Sequence, residues 1–355
     1  MKLLTIIVPS YNMEQYLPKC LGSLVVAPEL MEKLEVIVVN DGSKDRTSEI
    51  AHEFEEKYPG TFRVIDKENG HYGSCINAAL PVATGVYVKV LDADDWFDTE
   101  NFAWYLIRLS KEDENGGAAV DVIVTDYVKN NFAGEVLLRS HIELQANQSY
   151  TLDELARMKV AVPLMHMLTY RRNVFCECGY KQSEGCSYTD NEFAFYPMAK
   201  ARLVRYWPIP LYQYLIGRGG QSVEQSALDR GSFVFLQIVR RMVNAYTSGT
   251  FDKGSDLYLK MWLMNFLHCI YRSYFFTFKI DKIKSELMPF DNWLKVKSLA
   301  LYEGISLLAH VQLVGRMGFN YVQYIRHGKF NRLMIGLLRI YDCFHLRIRI
   351  IRSKR

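Results

Sequence analysis

The first 130 residues alternate short apolar runs with amphipathic stretches. Residues 3–8 and 34–39 are continuous apolar runs, a pattern typical of strands that are buried on both faces. Three further strands are predicted at residues 62–65, 86–91 and 121–126. Helical patterns, with apolar residues three and four positions apart, separate these strands. The alternation predicts an α/β fold with a mostly parallel sheet flanked by helices.

The pattern changes in the second half of the chain. Residues 203–207 and 211–216 are predicted to form two strands around a pair of prolines. From residue 226 onward the chain has long aromatic-rich helical patterns, the last of them at residues 299–317. We therefore predict two domains, an α/β domain at residues 1–225 and a helical C-terminal region at residues 226–355.

The net charge of +4 is unevenly distributed along the chain. Residues 326–355 contain nine Lys or Arg residues and one acidic residue, Asp342, so this segment carries +8 and the remainder carries −4. We expect a local basic surface that contacts anions, not a generally basic protein. No base-reading module accompanies the charge, so nucleic acid is not an expected partner.

Cysteine content and the N-terminal pattern bear on location. Seven cysteines is an odd number, and the chain runs from Met1 directly into a strand pattern, which predicts a reduced cytoplasmic protein. The most hydrophobic stretch, residues 255–280, is interrupted by charged residues and is not predicted to span a membrane. The cysteines at residues 176–186 lack the paired spacing of structural zinc sites and are expected to be ordinary thiols.

Three carboxylates, Asp92, Asp94 and Asp95, directly follow the predicted strand at residues 86–91. Three acids within four residues repel one another unless a cation or hydrogen-bond donors offset their charge. Mn²⁺ or Mg²⁺, shared with a diphosphate, suits such oxygen ligands. Residues 92 and 94 lie in phase on an extended segment, so both can face the same side. The alternative is an acidic turn that caps the next helix.

Two more polar turns follow predicted strands at the same edge of the sheet. Tyr11, in the turn after the first strand, can stack on a nucleotide base. Asp41, after the second strand, can accept a hydrogen bond from a base N–H or a ribose hydroxyl. Each turn has an ordinary structural alternative, but three in series on successive strands favour a nucleotide site. No Gly-x-Gly-x-x-Gly pattern follows the first strand, which disfavours a Rossmann dinucleotide site.

Four ordered motifs carry a family resemblance. They read VPSYN at residues 8–12, VIVVNDGSKDRT at 36–47, ENGHYGSCINAAL at 68–80 and LDADDWFD at 91–98. Together they resemble the nucleotide-sugar domain of glycosyltransferase family 2, which has the GT-A fold. The resemblance is close over residues 3–130 and weaker to about residue 225.

The resemblance implies nucleotide contacts at the first two turns. Pro9 and Tyr11 would line the base pocket, and Asp41 would hydrogen-bond the base, which is usually uracil in this family. Asn69 and Gly70 would border the nucleotide.

Further roles follow from the third and fourth motifs. Asn77 would also border the nucleotide, Asp92 with Ala93 would reach the ribose or the sugar, and Asp94 would ligate the metal that bridges the two phosphates. The third motif departs from the family at residues 70–73, where relatives often have a Gly, a Ser and an Arg.

The resemblance also implies an inverting reaction with one general base. Asp190, in the sequence YTDNEF, stands at the family's base position, although Thr189 replaces the more usual Glu. The alternative is that Asp190 only caps a helix. Arg218, in the sequence RGGQS, resembles a loop that closes over the diphosphate in some relatives, and the alternative is a surface turn.

A basic amphipathic helix is predicted near the C-terminus. Its apolar stripe consists of Leu333, Leu337, Ile340, Tyr341 and Phe344. The surrounding basic residues are Arg332, Arg339, Arg347, Arg349, Arg352, Lys354 and Arg355. Such a helix can lie on an anionic membrane, here the inner face of the cell membrane, and the alternative is a helix packed on the protein body with a solvated tail.

The sequence thus predicts a metal-dependent glycosyltransferase that moves a sugar from a nucleotide-sugar to a glycan or lipid-linked acceptor. The expected donor is a UDP-sugar, and the expected process is cell-envelope or exopolysaccharide synthesis. One competing hypothesis is a nucleotidyltransferase, which normally has a Gly-rich loop after the first strand. Another is a catalytically inactive nucleotide-sugar-binding module that acts as a membrane-associated assembly partner.

Overall fold

The computed structural model describes residues 1–114, 120–160, 162–218, 225–312 and 318–341. The strands are β1 Leu4–Ser10, β2 Leu34–Asp41, β3 Phe62–Lys67, β4 Tyr87–Val90, β5 Trp96–Phe97, β6 Val122–Asn130, β7 Val136–Arg139, β8 Ser149–Tyr150, β9 Leu168–Arg171, β10 Val204–Leu215, β11 His310–Gln312 and β12 Gly318–Asn320. The helices are α1 Leu17–Gly22, α2 Pro28–Met31, α3 Thr47–Lys57, α4 His71–Ala79, α5 Thr99–Glu114, α6 Leu152–Arg157, α7 Asn173–Glu177, α8 Asp190–Phe195, α9 Gln225–Ser248, α10 Lys253–Phe276, α11 Ile280–Lys282, α12 Met288–Lys297, α13 Leu299–Leu308, α14 Tyr321–His327 and α15 at residues 332–341.

One large sheet organises the N-terminal part of the chain. Its strand order is β3-β2-β1-β4-β9-β6-β10-β5, with β7 paired to β6 and β8 paired to β10. Strands β3, β2, β1 and β4 are parallel, as are β6 and β10. Every residue of β1 and β2 is buried, which explains their continuous apolar sequences. The predicted α/β fold class, a mostly parallel sheet flanked by helices, is confirmed.

Two strands differ from the prediction. Strand β9 was not predicted; its four residues lie antiparallel between β4 and β6. The two strands predicted around the prolines are instead one strand, β10, with register shifts between Trp207 and Tyr212. A proline cannot donate a ladder hydrogen bond, so the strand continues by bulging at this point.

The C-terminal helices also depart from the prediction at one place. The helix predicted at residues 299–317 ends at Leu308, and His310–Gln312 pairs with Gly318–Asn320 in an antiparallel hairpin. Cross-strand pairing therefore replaces the helical turns that the apolar periodicity indicated.

Contacts divide the chain into two units. The first comprises Met1–Glu224 and Phe251–Leu259, and the second comprises Gln225–Thr250 and Lys260–Arg355. No helix among the described residues is both long enough and apolar enough to cross a membrane.

A buried ion pair helps to organise the second unit. The Arg326 guanidinium in α14 donates to the Asp291 carboxylate of α12 at 2.9 and 3.1 Å, and it lies 3.5 Å from the ring centre of Tyr302 in α13. The Tyr271 hydroxyl of α10 donates to the same carboxylate at 2.5 Å. The Asp291 carboxylate thus joins three helices, and the Arg326 guanidinium adds α13 as the fourth.

Candidate active site

The turns that follow β1 and β2 are joined at the carboxyl edge of the sheet. The backbone N–H of Asn12 donates to Ser43 Oγ at 3.1 Å. Pro9 is buried within β1, whereas Tyr11 is 45% exposed. The edge therefore presents an aromatic ring to solvent beside the second turn.

The Asp41 carboxylate, at the end of β2, is enclosed and neutralised by its neighbours. Lys67 Nζ lies 2.7 Å from Asp41 Oδ1, and the backbone N–H of Gly70 donates to the same oxygen at 3.0 Å. Asn69 Nδ2 donates to the Asp41 carbonyl at 3.0 Å. A Cβ at residue 70 would lie 2.6 Å from Ser74 Oγ, so glycine is what lets this backbone reach the carboxylate. The structure thus brings Asp41, Asn69 and Gly70 together.

The carboxylates of Asp92 and Asp94, in the acidic turn after β4, have different partners. Asp92 Oδ1 accepts a hydrogen bond from the Tyr72 hydroxyl at 2.8 Å. Asp94 Oδ2 accepts from Arg218 Nε at 2.6 Å. Ala93, between the two acids, is buried. The guanidinium of Arg218 therefore already lies at the acidic turn.

Asp95 fastens the acidic turn to β10. It is 1% exposed, and it accepts hydrogen bonds from the Tyr212 hydroxyl and the Leu215 backbone N–H, both at 2.7 Å. The Tyr212 hydroxyl also accepts from the Asp92 backbone N–H at 3.1 Å. The last residues of β10 thus set the position of the turn.

Burial and mutual repulsion perturb these acids. Burial raises the pKa of Asp92, and the charge of Asp94 raises it further. Burial also raises the pKa of Asp95, and the charges of Asp94 and Asp92 raise it further. Ionising all three acids is therefore unfavourable without an added positive charge.

His166 lies against this acidic turn. One potential ligand atom from each of Asp92, Asp95 and His166 lies within 4.8 Å of the other two. Burial, and to a smaller extent the charge of Lys89, lowers the pKa of His166 to about 3, so the imidazole is neutral at physiological pH. Its Nδ1 is buried without a hydrogen-bond partner within the described chain. Two carboxylates and a neutral imidazole fit a divalent cation such as Mn²⁺.

The position of His166 was not apparent from the sequence, because the residue lies far along the chain from the acids and has no motif around it. Lys89 fixes the backbone around His166, because the buried Lys89 Nζ donates to the carbonyls of His166 and Leu168 at 2.8 and 3.2 Å. A lysine inside an otherwise apolar strand is a sequence signal that could have indicated a polar interior at this place.

Asp190 is the first residue of α8, and Thr189, not Asp190, occupies the N-cap position. Burial raises the pKa of Asp190. Helix α8 packs against residues 165–167, which include His166, and the charge of Asp190 contributes to raising the pKa values of Asp92 and Tyr72. Asn191 Nδ2 donates to Asp190 Oδ1 at 3.2 Å. The fold therefore unites this distant residue with the fourth motif.

The segment before Asp190 is locked onto α4. Asn77 Nδ2 donates to the Gln182 carbonyl, and Asn77 Oδ1 accepts from the Gln182 backbone N–H, both at 2.9 Å. Glu192 is fully buried and accepts from the backbone N–H and the hydroxyl of Ser183 at 2.7 and 2.9 Å. A Cβ at residue 73 would lie 1.9 Å from the Ser183 carbonyl, so Gly73 permits this approach. Asn77 and Glu192 thus position the segment that carries Asp190.

Strained backbone occurs beside the site. Asn12, His71 and Tyr188 have φ values of 54°, 66° and 65°, and they adjoin Tyr11, Gly70 and the start of α8. Positive φ costs a residue with a side chain about 1 kcal/mol or more and is found where surrounding contacts impose it, often at functional sites.

The fold and its acidic edge define the class of the N-terminal unit, a GT-A domain. The solved structure of residues 1–349 of S. aureus TarS in complex with UDP-GlcNAc matches the chain with a TM-score of 0.60 and 18% identity, covering 94% of this chain and 93% of that chain. At this identity the likeness establishes the fold alone.

Residues 5–178 match the family model described as "Glycosyl transferase family 2", and this part of the chain belongs to that family. It is 35% identical over 152 residues to the uncharacterized glycosyltransferase MG025 of Mycoplasma genitalium, covering 41% of this chain and 50% of that protein. It is 36% identical over 91 residues to the minor teichoic acid biosynthesis protein GgaB of Bacillus subtilis, covering 26% of this chain and 10% of that protein. The chain therefore spans half or less of the length of these relatives.

Proposed function

We propose that this chain is an inverting glycosyltransferase that moves a sugar from a UDP-sugar to an acceptor hydroxyl. The observation that carries the proposal is the convergence of an enclosed Asp41, an acidic turn beside a neutral His166, and Asp190 at the carboxyl edge of one sheet. In α/β sheets this edge is where ligands bind.

The nucleotide is assigned to the turns after β1 and β2. Pro9 and Tyr11 line the base pocket, and the Asp41 carboxylate accepts a hydrogen bond from the base N–H. Lys67 and Gly70 fix the orientation of that carboxylate. Asn69 borders the nucleotide through the same network. Because Asp41 is held before the ligand arrives, little ordering is needed on binding.

The acidic turn is assigned to the sugar diphosphate and a divalent cation, Mn²⁺ or Mg²⁺. Asp92, Asp95 and His166 would hold the cation in the arrangement seen here, and Asp94, the ligand predicted from the sequence, would join them once Arg218 releases it. The cation supplies electrostatic stabilisation of the departing diphosphate. Asp92 and Ala93 also face the ribose and the sugar.

Arg218 is assigned to the diphosphate. Its guanidinium pairs with Asp94 at 2.6 Å. A diphosphate offers a competing anionic partner with the bidentate geometry that a guanidinium prefers. Exchange of Arg218 from Asp94 to the phosphates would couple donor binding to the release of Asp94.

Asp190 is assigned as the general base. As the acceptor hydroxyl attacks the anomeric carbon, the Asp190 carboxylate takes the hydroxyl proton, and the nucleoside diphosphate leaves from the opposite face of the sugar. A raised pKa makes this carboxylate a better proton acceptor than an exposed aspartate. No covalent intermediate on the protein is required for inversion.

The acceptor is assigned to the class of cell-envelope or exopolysaccharide glycans, either free or lipid-linked. The family assignment and the similarity to a minor teichoic acid biosynthesis protein support this choice. The two-domain division at residues 1–225 and 226–355, and a location at the cytoplasmic face of the membrane, belong to the same proposal.

A thermal-shift titration with UDP, GDP and CMP, each with and without Mn²⁺, tests the donor assignment. A nucleotide at about 100 times its dissociation constant should add roughly 2.7 kcal/mol to the free energy of unfolding. We expect UDP to stabilise the wild type only with Mn²⁺, and we expect Asp94→Ala to abolish the effect. Stabilisation by GDP or CMP instead of UDP would overturn the donor class, and no response to any nucleotide would overturn the site.

A further inference from the structure

Four side chains near the carboxyl ends of β6 and β10 form a patch beside His166. In the parallel pairing of these two strands, Tyr127 lies opposite Tyr212 and Lys129 lies opposite Tyr214. Residues two positions apart on a strand project from the same face, so the four side chains share one face of the sheet. The His166 ring centre lies 5.8 Å from that of Tyr127 and 4.8 Å from those of Tyr212 and Tyr214. We call these four residues the β6–β10 patch.

The patch lies at the same edge of the sheet as the acidic turn. Strand β9 is antiparallel to both β4 and β6, so β4 and β6 run in the same direction and their carboxyl ends share one edge. His166 belongs to both places, because its potential ligand atom lies within 4.8 Å of those of Asp92 and Asp95. The nucleotide and the diphosphate are assigned to the turns after β1, β2 and β4. The ends of β6 and β10 are therefore left for the acceptor.

Lys129 is the charged member of the patch, and its charge is not neutralised within it. The ammonium lies 5.9 Å from the ring centre of Tyr127 and 5.8 Å from that of Tyr214. Aromatic rings attract a cation but cancel none of its charge. Across the described ranges of the chain, the Lys129 side chain has no hydrogen bond and no ion pair, and it is partly exposed. The ammonium is thus available to an anionic group of a ligand.

Tyr214 supplies a flat surface next to this charge. Its ring is partly exposed, whereas Tyr127 and Tyr212 are buried at 6% and 0% exposure. An exposed aromatic ring offers a broad apolar area on which the C–H face of a sugar can stack, with polar substituents at its rim. A sugar on Tyr214 would therefore bring a charged substituent to Lys129, directly across the strand pair.

We infer that the β6–β10 patch is the acceptor subsite and that Lys129 selects an acceptor with a phosphate or carboxylate close to the hydroxyl that receives the sugar. Tyr214 supports the acceptor unit, Lys129 pairs with its anion, and Asp190 takes the hydroxyl proton. Lysine suits either anion, because its ammonium is a compact point charge that does not require bidentate geometry. The inference rests on the proposed glycosyl transfer and adds to it the chemical class of the acceptor.

Binding of three small sugars to the full chain tests the inference, with UDP and Mg²⁺ present to occupy the donor site. The probes are glucose 6-phosphate, methyl glucuronide and methyl glucoside, which carry a phosphate, a carboxylate and no charge. Ligand-observed NMR measures their dissociation constants. We expect the wild type to bind at least one anionic probe about fivefold more tightly than methyl glucoside. The preferred probe distinguishes a phosphate-bearing acceptor from a carboxylate-bearing one.

Three lysine variants assign this preference to a residue. Lys129→Met should abolish it, whereas Lys129→Arg, which keeps the charge, should retain it. Lys57→Met is the matched control, because the Lys57 ammonium also lies over a tyrosine ring, 5.4 Å from the centre of Tyr58 at the end of α3. This control should retain the preference. Since Lys129 is partly exposed, Lys129→Met should keep the wild-type melting temperature and the wild-type response to UDP.

The possible outcomes separate this inference from the proposed function. A wild type that binds the anionic probes no more tightly than methyl glucoside would overturn the inference, as would an equal preference in wild type and Lys129→Met. Loss of the UDP response in Lys129→Met would also overturn it and would assign the lysine to the diphosphate. If the wild type responds to no nucleotide in the thermal-shift titration, the proposed function fails first, and the inference fails with it.

Discussion

Asp41 and Asp92 both follow parallel strands at the same edge of the sheet, yet their surroundings are opposite in character. The Asp41 carboxylate lies 2.7 Å from the ammonium of Lys67 and accepts a backbone N–H. The Asp92 carboxylate has Asp94 and Asp190 as charged neighbours, and burial and these charges raise its pKa. One acid is balanced within the protein, and the other is not.

This difference separates two kinds of ligand site. A carboxylate that is already neutralised and oriented can recognise a neutral donor group, such as a base N–H, at little cost of reorganisation. A cluster of acids that repel one another stores unfavourable energy that a cation relieves, so it favours binding of a divalent ion. Arg218, paired to Asp94, moderates this repulsion.

The largest effect on the transfer rate is expected from changing Asp190, the residue assigned as the general base. Asp190→Asn should lower the transfer rate by about 10² to 10⁴-fold, because the amide cannot take the acceptor proton. Stabilisation by UDP with Mn²⁺ should persist, since Asp190 is not assigned to the donor. Release of UDP from a UDP-sugar in the presence of acceptor measures the rate, with the exposed Glu177→Gln as a control. A fully active Asp190→Asn enzyme would remove the base assignment.

The second-largest effect is expected where the ion pair of Asp41 is removed. Lys67→Met leaves the buried Asp41 carboxylate without its cation and should lower the free energy of unfolding by about 2 kcal/mol. Urea unfolding measures this change. Lys57→Met, at an exposed lysine at the end of α3, should change stability by less than about 0.5 kcal/mol. Equal stability of the Lys67 and Lys57 variants would mean that Asp41 does not depend on its ion pair.

Removing the charge of Asp92 should have the opposite effect on stability, and the effect should depend on pH. The pKa of Asp92 is higher in the folded protein than in the unfolded chain. Wild type therefore loses stability as pH rises from about 4 through the raised pKa, whereas Asp92→Asn does not titrate. About a quarter of the Asp92 side chain remains exposed, at 25%, so solvent screening reduces the effect.

Without metal, Asp92→Asn should match the wild type in stability near pH 4 and exceed it by about 1 kcal/mol near pH 8. Asparagine keeps an oxygen acceptor for Tyr72, so the hydrogen bond is retained. Urea unfolding at both pH values in the presence of a chelator provides the measurement. Asp41→Asn is the comparison, and it should destabilise the protein near pH 8 because Lys67 loses its partner. Destabilisation by both changes would contradict the distinction between the two regions.

The smallest expected effect concerns the hydroxyl that supports Asp92. Tyr72→Phe removes a donor 2.8 Å from the Asp92 carboxylate. The ionised acid loses about 1 kcal/mol of support, so the affinity for UDP with Mn²⁺ should fall about fivefold. Calorimetric titration with UDP in the presence of Mn²⁺ measures the change, with Tyr58→Phe, at the end of α3, as the matched control. An unchanged affinity would place Asp92 outside the donor site.

The sequence was informative wherever a site lies within one continuous segment. Asp41 and the acids at residues 92–95 directly follow buried strands, so strand periodicity alone placed them at one edge of the sheet. Asn69 and Gly70 were found by motif, and their contacts with Asp41 link two such segments. Their catalytic and binding roles stay predictions, which the experiments above address.

Groups that assemble from distant segments were beyond sequence reasoning. His166 has no local pattern, and only the pairing of β9 with β4 and β6 brings its neighbourhood to the acidic turn. Glu192 and Gly73 carried no evident signal, because their importance lies in contact with Ser183. The family resemblance implied that Asp94 ligates the metal, but its partner here is Arg218, a residue that comes close through the end of β10.

The sequence by itself determined the class of fold, the family and the edge of the sheet at which chemistry is expected. These depend on local periodicity and on contiguous motifs, which are written along the chain. Tertiary structure alone decided that Asp41 is neutralised by Lys67 while Asp92 is repelled by its neighbours, and that His166 lies beside the acids. Charge balance and burial depend on distances between residues far apart in sequence, and those distances exist only once the chain has folded.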